Sequence, residues 1–520
     1  MMKNIFVFLL FVGVIKVAYS QTPDFANDIA PIFYNKCTSC HHTGGIAPFS
    51  LTDYTTAYTN RYNIQYAVQT GKMPPWPPDT SYSRMVGERI LTAVEKQKIL
   101  DWVQAGAPSG NLSQQPPAPT YTTHYQLPGT PDLVVKIPPI TSSATTTDQY
   151  VCISVPSGLT QDRMIKAYEI VPGNPAIVHH VIVTGDTSNS FPPGIYNNCF
   201  TTAQDVGIGG YAPGQGPTIF PSVAPAKFGI NMPANTNIVF QMHYPKGTVG
   251  QVDSTQIRFY FYPLGESGVR QIYIYPLLQN WSLNFSPNTV KTYTNECPPS
   301  TYFPNCKLPL SVSIYGAFPH SHLLCTQLRN YAVNTSNLND TIPIIRINQW
   351  DFHWQGFYTF KKLIKVPAGY KWMSYHTYDN TINNPNNPNN PPQTVFAGEN
   401  TTDEMLFDSF MLLLYQNGDE NLNIDSLLTV SVKEFFNQHA SEQKMLAYPN
   451  PVNDYLYIFV SSGSIKNISV YDISGKLVYQ DLISSSIKET KLNLSFLDKG
   501  SYLIKVQTND KVYVEKIIKW

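Results

Sequence analysis

"AIVHHVIVTG", residues 176–185, sets a pair of adjacent histidines among Ile and Val and closes on Gly185. The β-branched residues and the lack of helical spacing read as a strand. Outward from it the pattern recurs in "TNIVFQMHYP" (236–245), "STQIRFYFYP" (254–263) and "RQIYIYPLL" (270–278), broken by Gly, Pro and Asn. Short strands continued over about 300 residues predict sandwiches, and that length suggests two. We place them at 128–292 and 293–432. One low-complexity stretch inside them, "NTINNPNNPNNPP" (380–392), must be an irregular excursion, since repeated Asn-Pro cannot sit in a ladder.

The flanks read differently. Residues 21–110 alternate helical patches such as "LTAVEKQKILDWVQAG" with the Pro-rich "GKMPPWPPD", and "NLSQQPPAPTY" opens a linker at 111–127. Residues 446–520 form another run of alternating strands, after a linker at 433–445. The fold class is therefore multidomain and mainly β: a small helical domain, two sandwiches and a small C-terminal sandwich. The first residues, "MMKNIFVFLLFVGVIKVAYSQ", carry a Lys, an apolar run and Ala18-Tyr19-Ser20, which predicts a cleaved secretory signal at 1–20. With 520 residues, 35 basic and 35 acidic side chains and 42 prolines, the chain has no basic excess for nucleic acid.

Seven cysteines divide into two groups. Cys37 and Cys40 belong to "CTSCHH", whose C-x-x-C-H spacing suits two thioethers to haem c and His41 as the iron ligand; a disulfide or a zinc half-site is the competing reading. Met73 in "GKMPPWPP" is the candidate sixth ligand, with Met85 its competitor. Of the other five, Cys297 and Cys306 could close a small loop and Cys152 and Cys199 a longer one, leaving Cys325 free. The haem stretch is similar to cytochrome c domains over residues 24–108, in which an "MPPW"-like loop precedes a final helix. That resemblance implies an electron carrier.

Five histidines fall in strand-like segments of the β-region: His179, His180, His243, His320 and His322. A single strand histidine is weak support for a metal. In "YGAFPHSHLLC" (315–325), however, His320 and His322 share a strand face about 6.5 Å apart along it, which is half a site. Adjacent His179 and His180 would point to opposite faces of a regular strand, so chelation there needs a twist or binding through the other ring nitrogen. In order, "VHHVIV", "QMHYP", "PHSHLL" and "TTDEML" resemble the copper type II, ascorbate-dependent monooxygenases, which include the peptidylglycine α-hydroxylating and dopamine β-monooxygenases. The resemblance covers about residues 128–430. It implies one copper on His179, His180 and His243 and a second on His320, His322 and Met405, the second activating dioxygen; "DQYVCISVPSG" supports the pairing of Cys152 with Cys199. Two imidazoles with a soft thioether favour Cu(I), whereas three imidazoles suit a copper that cycles. Where the peptide-amidating enzyme has Asn and Tyr after its methionine, this chain has Phe407 and Ser409, so glycine-extended peptides are not the expected substrate.

Finally, "LAYPNPVNDYLYI", "ISVYDISGKLVYQ" and "VEKIIKW" resemble the sorting domain of bacterial type IX secretion cargo, which implies a secreted or cell-surface protein handled by that machinery. The expectation is a secreted di-copper monooxygenase that hydroxylates a C–H bond of a small organic or peptide-like substrate. It would draw on dioxygen, two copper ions, haem c and an external electron donor. The alternative is a non-catalytic copper and haem electron-transfer or copper-binding surface protein. A structural adhesin with incidental histidines would hold no stoichiometric metal.

Overall fold

The computed structural model describes residues 22–119, 127–199, 205–213, 215–297, 310–440, 445–448, 452, 454–460, 463–473 and 475–519. The expected signal at 1–20 and Cys306 lie outside them, so the Cys297–Cys306 pairing does too. Two compact units divide the chain: residues 1–75 with 89–119, and residues 76–88 with 120–520.

The first unit is helical. Its helices Ala30–Lys36, Tyr54–Thr59, Arg61–Gln69 and Ala93–Gln104 enclose Phe25, Ile29, Phe33, Ala57, Ile99 and Trp102. Thr92 and Glu95 start the last helix with a reciprocal capping box, in which each side chain accepts from the other residue's backbone N–H. Such a cap contributes about 1 kcal/mol. Trp102 is fully buried, yet its indole N–H is not orphaned, because it donates to Pro108 O at 3.0 Å.

The stretch 76–88, which sequence groups with the helices, packs instead in the β-unit. Met85 is fully buried there among Leu277, Leu278 and Phe360 and bridges to Phe360. Asp79 accepts two bonds from the Arg346 guanidinium, and Trp76 meets Tyr358 edge-on. Prolines break any helical period here, and the apolar residues find partners on strand edges. Met85 is thereby a core residue of the second unit and not a competitor of Met73.

Two sandwiches follow. In the first, a five-stranded sheet places Asn237–Tyr244 between Gln149–Pro156 and His180–Asp186, with Gly194–Asn197 and Val206–Tyr211 at its edges. Asn237–Tyr244 is buried at every position, as befits a central strand. The facing sheet is built on Arg163–Val171, Ala226–Met232 and Gln256–Phe261. The second sandwich pairs Tyr273–Gln279, Phe407–Leu414, Val312–His320 and Tyr358–Val366 in one sheet, and Thr289–Glu296, Tyr370–Asn380, Cys325–Asn334 and Asn337–Ile347 in the other. Tyr315, Met411 and Leu413 share a core with Phe220, Phe228 and Ile230, so the two sandwiches meet through apolar side chains. Two sequence boundaries shift. Tyr273–Gln279 and Thr289–Glu296 both pair in the second sandwich, because alternation marks a strand without naming its sheet. The expected linker at 433–445 begins inside a helix, Ile424–Ala440, whose Leu427 and Phe435 are buried.

The Asn-Pro stretch leaves the ladder at Asn380, as its prolines require, and is tied down by side-chain amides. Asn384 Nδ2 donates to Leu323 O and Asp379 O at 3.2 and 2.9 Å, and Asn387 Nδ2 donates to Asn380 Oδ1 at 3.0 Å. The C-terminal segment is a three-stranded and a four-stranded sheet around Leu456, Ile458, Ile468, Val470, Ile504 and Ile517. Among the described residues no helix is long and apolar enough to cross a membrane.

Candidate metal and haem sites

In the helical unit, Cys37 caps the helix Ala30–Lys36, and the next turn folds back on it: Cys40 N and His41 N both donate to Cys37 O, at 3.2 and 3.0 Å. Cys37 and Cys40 do not form a disulfide with each other, which leaves two thiols on one turn. His41 Nδ1 lies 3.0 Å from Phe49 O, and because a carbonyl only accepts, Nδ1 carries the proton and Nε2 keeps its lone pair. Burial lowers the ring's affinity for a second proton. Two thiols and one open Nε2 are the donor set that covalent haem attachment requires. Met73 follows the helix Arg61–Gln69, half-buried, with its N–H bonded to Ala67 O at 3.1 Å.

In the first sandwich, strand register brings the next set together. His243 lies directly opposite His180 on one neighbour and Tyr150 on the other. The strand begins at His180, so His179 stands just before the ladder and is free of its alternation; its N–H donates to His243 O at 3.0 Å. That answers how two adjacent histidines serve one point. The Nδ1 atoms of His179 and His180 are 3.2 Å apart, and those of His180 and His243 are also 3.2 Å apart. His243 Nε2 lies 3.1 Å from Asp148 Oδ2, so Nε2 carries the proton and Nδ1 is the bare donor. Burial is the main force that pushes His179 down to about 4 and His180 well below the ordinary range, with the neighbouring imidazoles adding to it. Three imidazole nitrogens within 4.8 Å of one another fit a soft or borderline cation.

His320 ends the strand Val312–His320, and His322 sits in the turn that follows. Their rings lie 5.1 Å apart and nearly perpendicular. His320 Nδ1 is hydrogen-bonded to Gln355 Oε1, which leaves Nε2 as its open nitrogen, and His322 Nδ1 lies 3.2 Å from Asp403 O, with the Asn400 backbone also bonded to that ring. Burial lowers these two rings to about 4 and about 3. Glu404, fully buried, joins the turn to the methionine segment: its carboxylate accepts from His322 N at 2.5 Å, Leu324 N at 2.8 Å and Met405 N at 2.8 Å. Burial raises that carboxyl to about 8 against the pull of those N–H groups. Met405 is itself buried beside the turn.

One ring touches both histidine sets. Phe352 lies 5.9 Å from the His179 ring, nearly parallel, and 5.6 Å from the His322 ring, edge-on. Gln355, three residues on, donates to Phe352 O at 2.7 Å, so one segment reaches both His179 and His320. Sequence reasoning passed over Asp148, Phe352, Gln355 and Glu404. Only Glu404 had a signal, its place in "DEM"; the others are remote in sequence and carry no spacing. Of the two histidines sequence left undecided, His353 is exposed beside Asp351 and His376 is fully buried. The expected disulfide Cys152–Cys199 is present and ties Gln149–Pro156 to the segment after Gly194–Asn197.

No curated protein matches this chain. Among solved structures, the chain is similar to the VP2 subviral particle of infectious bursal disease virus at 8% identity, over 58% of this chain and 76% of that one, with a TM-score of 0.17. The BSP domain of a biofilm associated protein gives 8% identity, 77% and 84% coverage and a TM-score of 0.13. The CBM51-2 and INT domains of Clostridium perfringens ZmpB give 10%, 54%, 89% and 0.11. Scores this low carry no argument about fold or function. Residues 446–520 match the secretion system C-terminal sorting domain, so the chain carries a type IX secretion signal and is a secreted or cell-surface protein handled by that machinery.

Proposed function

We propose that this protein is a secreted di-copper monooxygenase that hydroxylates a C–H bond of an organic substrate, with a fused c-type haem as the entry point for electrons. The observation that supports it most is the convergence of three Nδ1 atoms, of His179, His180 and His243, one phenyl ring away from a second set of two histidines and a buried methionine. Copper at these sets would supply one-electron redox chemistry and dioxygen activation, and haem held by Cys37, Cys40, His41 and Met73 would supply electron transfer.

The chain's own residues prepare both sets. Asp148 holds the His243 tautomer, and Gln355 and the Asp403 carbonyl hold those of His320 and His322. Burial keeps His179, His180, His320 and His322 uncharged, which a ligand must be. Around the second set the walls are aromatic: Phe407 lies opposite His320 on the paired strand, and Phe318 stacks on Phe357 at 4.4 Å. With Ser409 opposite Phe318, this wall supports a substrate without a carboxylate anchor at those positions.

The test is metal content followed by oxygen uptake. About two coppers and one haem per chain, with dioxygen consumed by the reduced protein in the presence of a hydroxylatable compound, is the expected result. Stoichiometric metal that never reacts with dioxygen would replace this reading with a non-catalytic electron-transfer protein. Stopped-flow reduction of the haem, followed by copper EPR, tests the electron route; Cu(II) signals persisting beside ferrous haem would remove the haem from it.

A further inference from the structure

Directly beneath the His320 and His322 turn lies a buried polar array that sequence gave no role. Ser321 Oγ is 2.8 Å from His376 Nδ1, and His376 Nε2 is 3.0 Å from Asp408 Oδ2, which also accepts from Asn330 Nδ2 at 2.6 Å. Serine, histidine and aspartate in that order suggest an acyl-transfer triad. Two facts exclude it. All three residues are fully buried, so no substrate reaches the hydroxyl. The ring is also reversed, with serine on Nδ1 and aspartate on Nε2, whereas a hydrolase places serine on Nε2.

What the array does touch is the candidate metal set. Ser321 stands between His320 and His322, and its hydroxyl donates to Met405 O at 2.9 Å. Tyr378 OH donates to the same carbonyl at 2.9 Å. One hydroxyl thus ties the turn that carries two ligands to the backbone of the third. Asp408 Oδ1 is buried without a hydrogen bond, a cost that an apolar core of the same shape would avoid.

We propose that His376 is a positioning residue for the His320, His322 and Met405 set, acting through Ser321 and held in place by Asp408. This rests on the reading that the set binds copper. The geometry gives a discriminating pair of variants: in His376→Asn the amide falls near Nδ1 and keeps the contact with Ser321, whereas in His376→Gln it falls near Nε2 and keeps only Asp408. The full chain is loaded with copper, and Cu(I) affinity is measured by competition with a chromogenic chelator, with sulfur scattering read at the copper K-edge. His376→Ala, His376→Gln and Ser321→Ala should each weaken the second copper roughly 10- to 100-fold and diminish the sulfur signal, while His376→Asn stays close to wild type. Copper on His179, His180 and His243 should be unchanged in all four. Ser321→Ala removes a single oxygen and so keeps the test open should the His376 variants fail to fold. Equal weakening by Asn and Gln, equal loss at both coppers, or an unaltered sulfur signal in Ser321→Ala would overturn the proposal. Wild-type protein that binds copper only at the three-histidine set would overturn the copper reading itself, a separate and recognisable failure.

Discussion

Asp148 decides which nitrogen of His243 faces His180. Its carboxylate accepts from Nε2, and without it the ring has no reason to keep Nδ1 bare. Asp148→Ala should weaken copper at the three-histidine set roughly 10- to 100-fold and leave the second set intact, as read by chelator competition. Met405→Leu should do the reverse, abolishing copper–sulfur scattering while the three-histidine copper persists. Retention of both coppers and of turnover in that variant would remove Met405 from the ligand set. At this scale the sequence was partly legible. The i, i+2 spacing of His320 and His322 suggested a shared strand face, but alternation applies only inside a strand: His322 lies past the end of Val312–His320, and His179 just before His180–Asp186. The partners that fix the tautomers, Asp148, Gln355 and the Asp403 carbonyl, come from distant segments that no local pattern connects.

Among the elements, the helix Ile424–Ala440 shows what short-range reading misses. Phe435 is buried 5.1 Å from the Tyr260 ring, and Ser431 Oγ accepts from Ser222 N at 2.9 Å, so this helix packs on the first sandwich, while Asp425 at its start meets Lys361 of the second. Its apolar positions are interrupted by Ser431 and Thr429, which blurs the stripe in sequence. Phe435→Ala should destabilise the protein by about 3–5 kcal/mol in denaturant unfolding; no change would mean the helix is dispensable. The segment 76–88 supplies a pH test. Hydrogen bonds from Ser81, with the Arg346 guanidinium and Asn348 contributing, hold the Asp79 carboxyl well below the usual carboxylate range. A carboxylate with a depressed folded-state pKa stabilises above its unfolded pKa and loses that contribution as pH falls through the folded one. Asp79→Asn should therefore lower stability on the order of 1 kcal/mol at pH 7. The gap to wild type should close in thermal melts as the pH is taken below about 4. A gap independent of pH would refute the assignment.

For the whole molecule, strand alternation and turn residues made the mainly β, multidomain plan readable, and the C-terminal strands carried their family signature in full. Which strand joins which sheet was not readable, because Tyr273–Gln279 looks the same in either sandwich until its partner Phe407–Leu414 is known. Removal of residues 446–520 should leave the upstream spectra and metal content intact, since this segment has a core of its own, and should abolish surface delivery in fractionated cells. Continued export of the truncated chain would contradict that.

The excursion at 76–88 makes the helical unit a discontinuous one, entered by the chain twice. A single nick between 111 and 119 would therefore not set that unit adrift, because the piece cut off still includes a strip with Asp79 and Met85 sewn into the other body. The helical unit is therefore no bead on a string, and its release by proteolysis would require that seam to be unpicked at both ends.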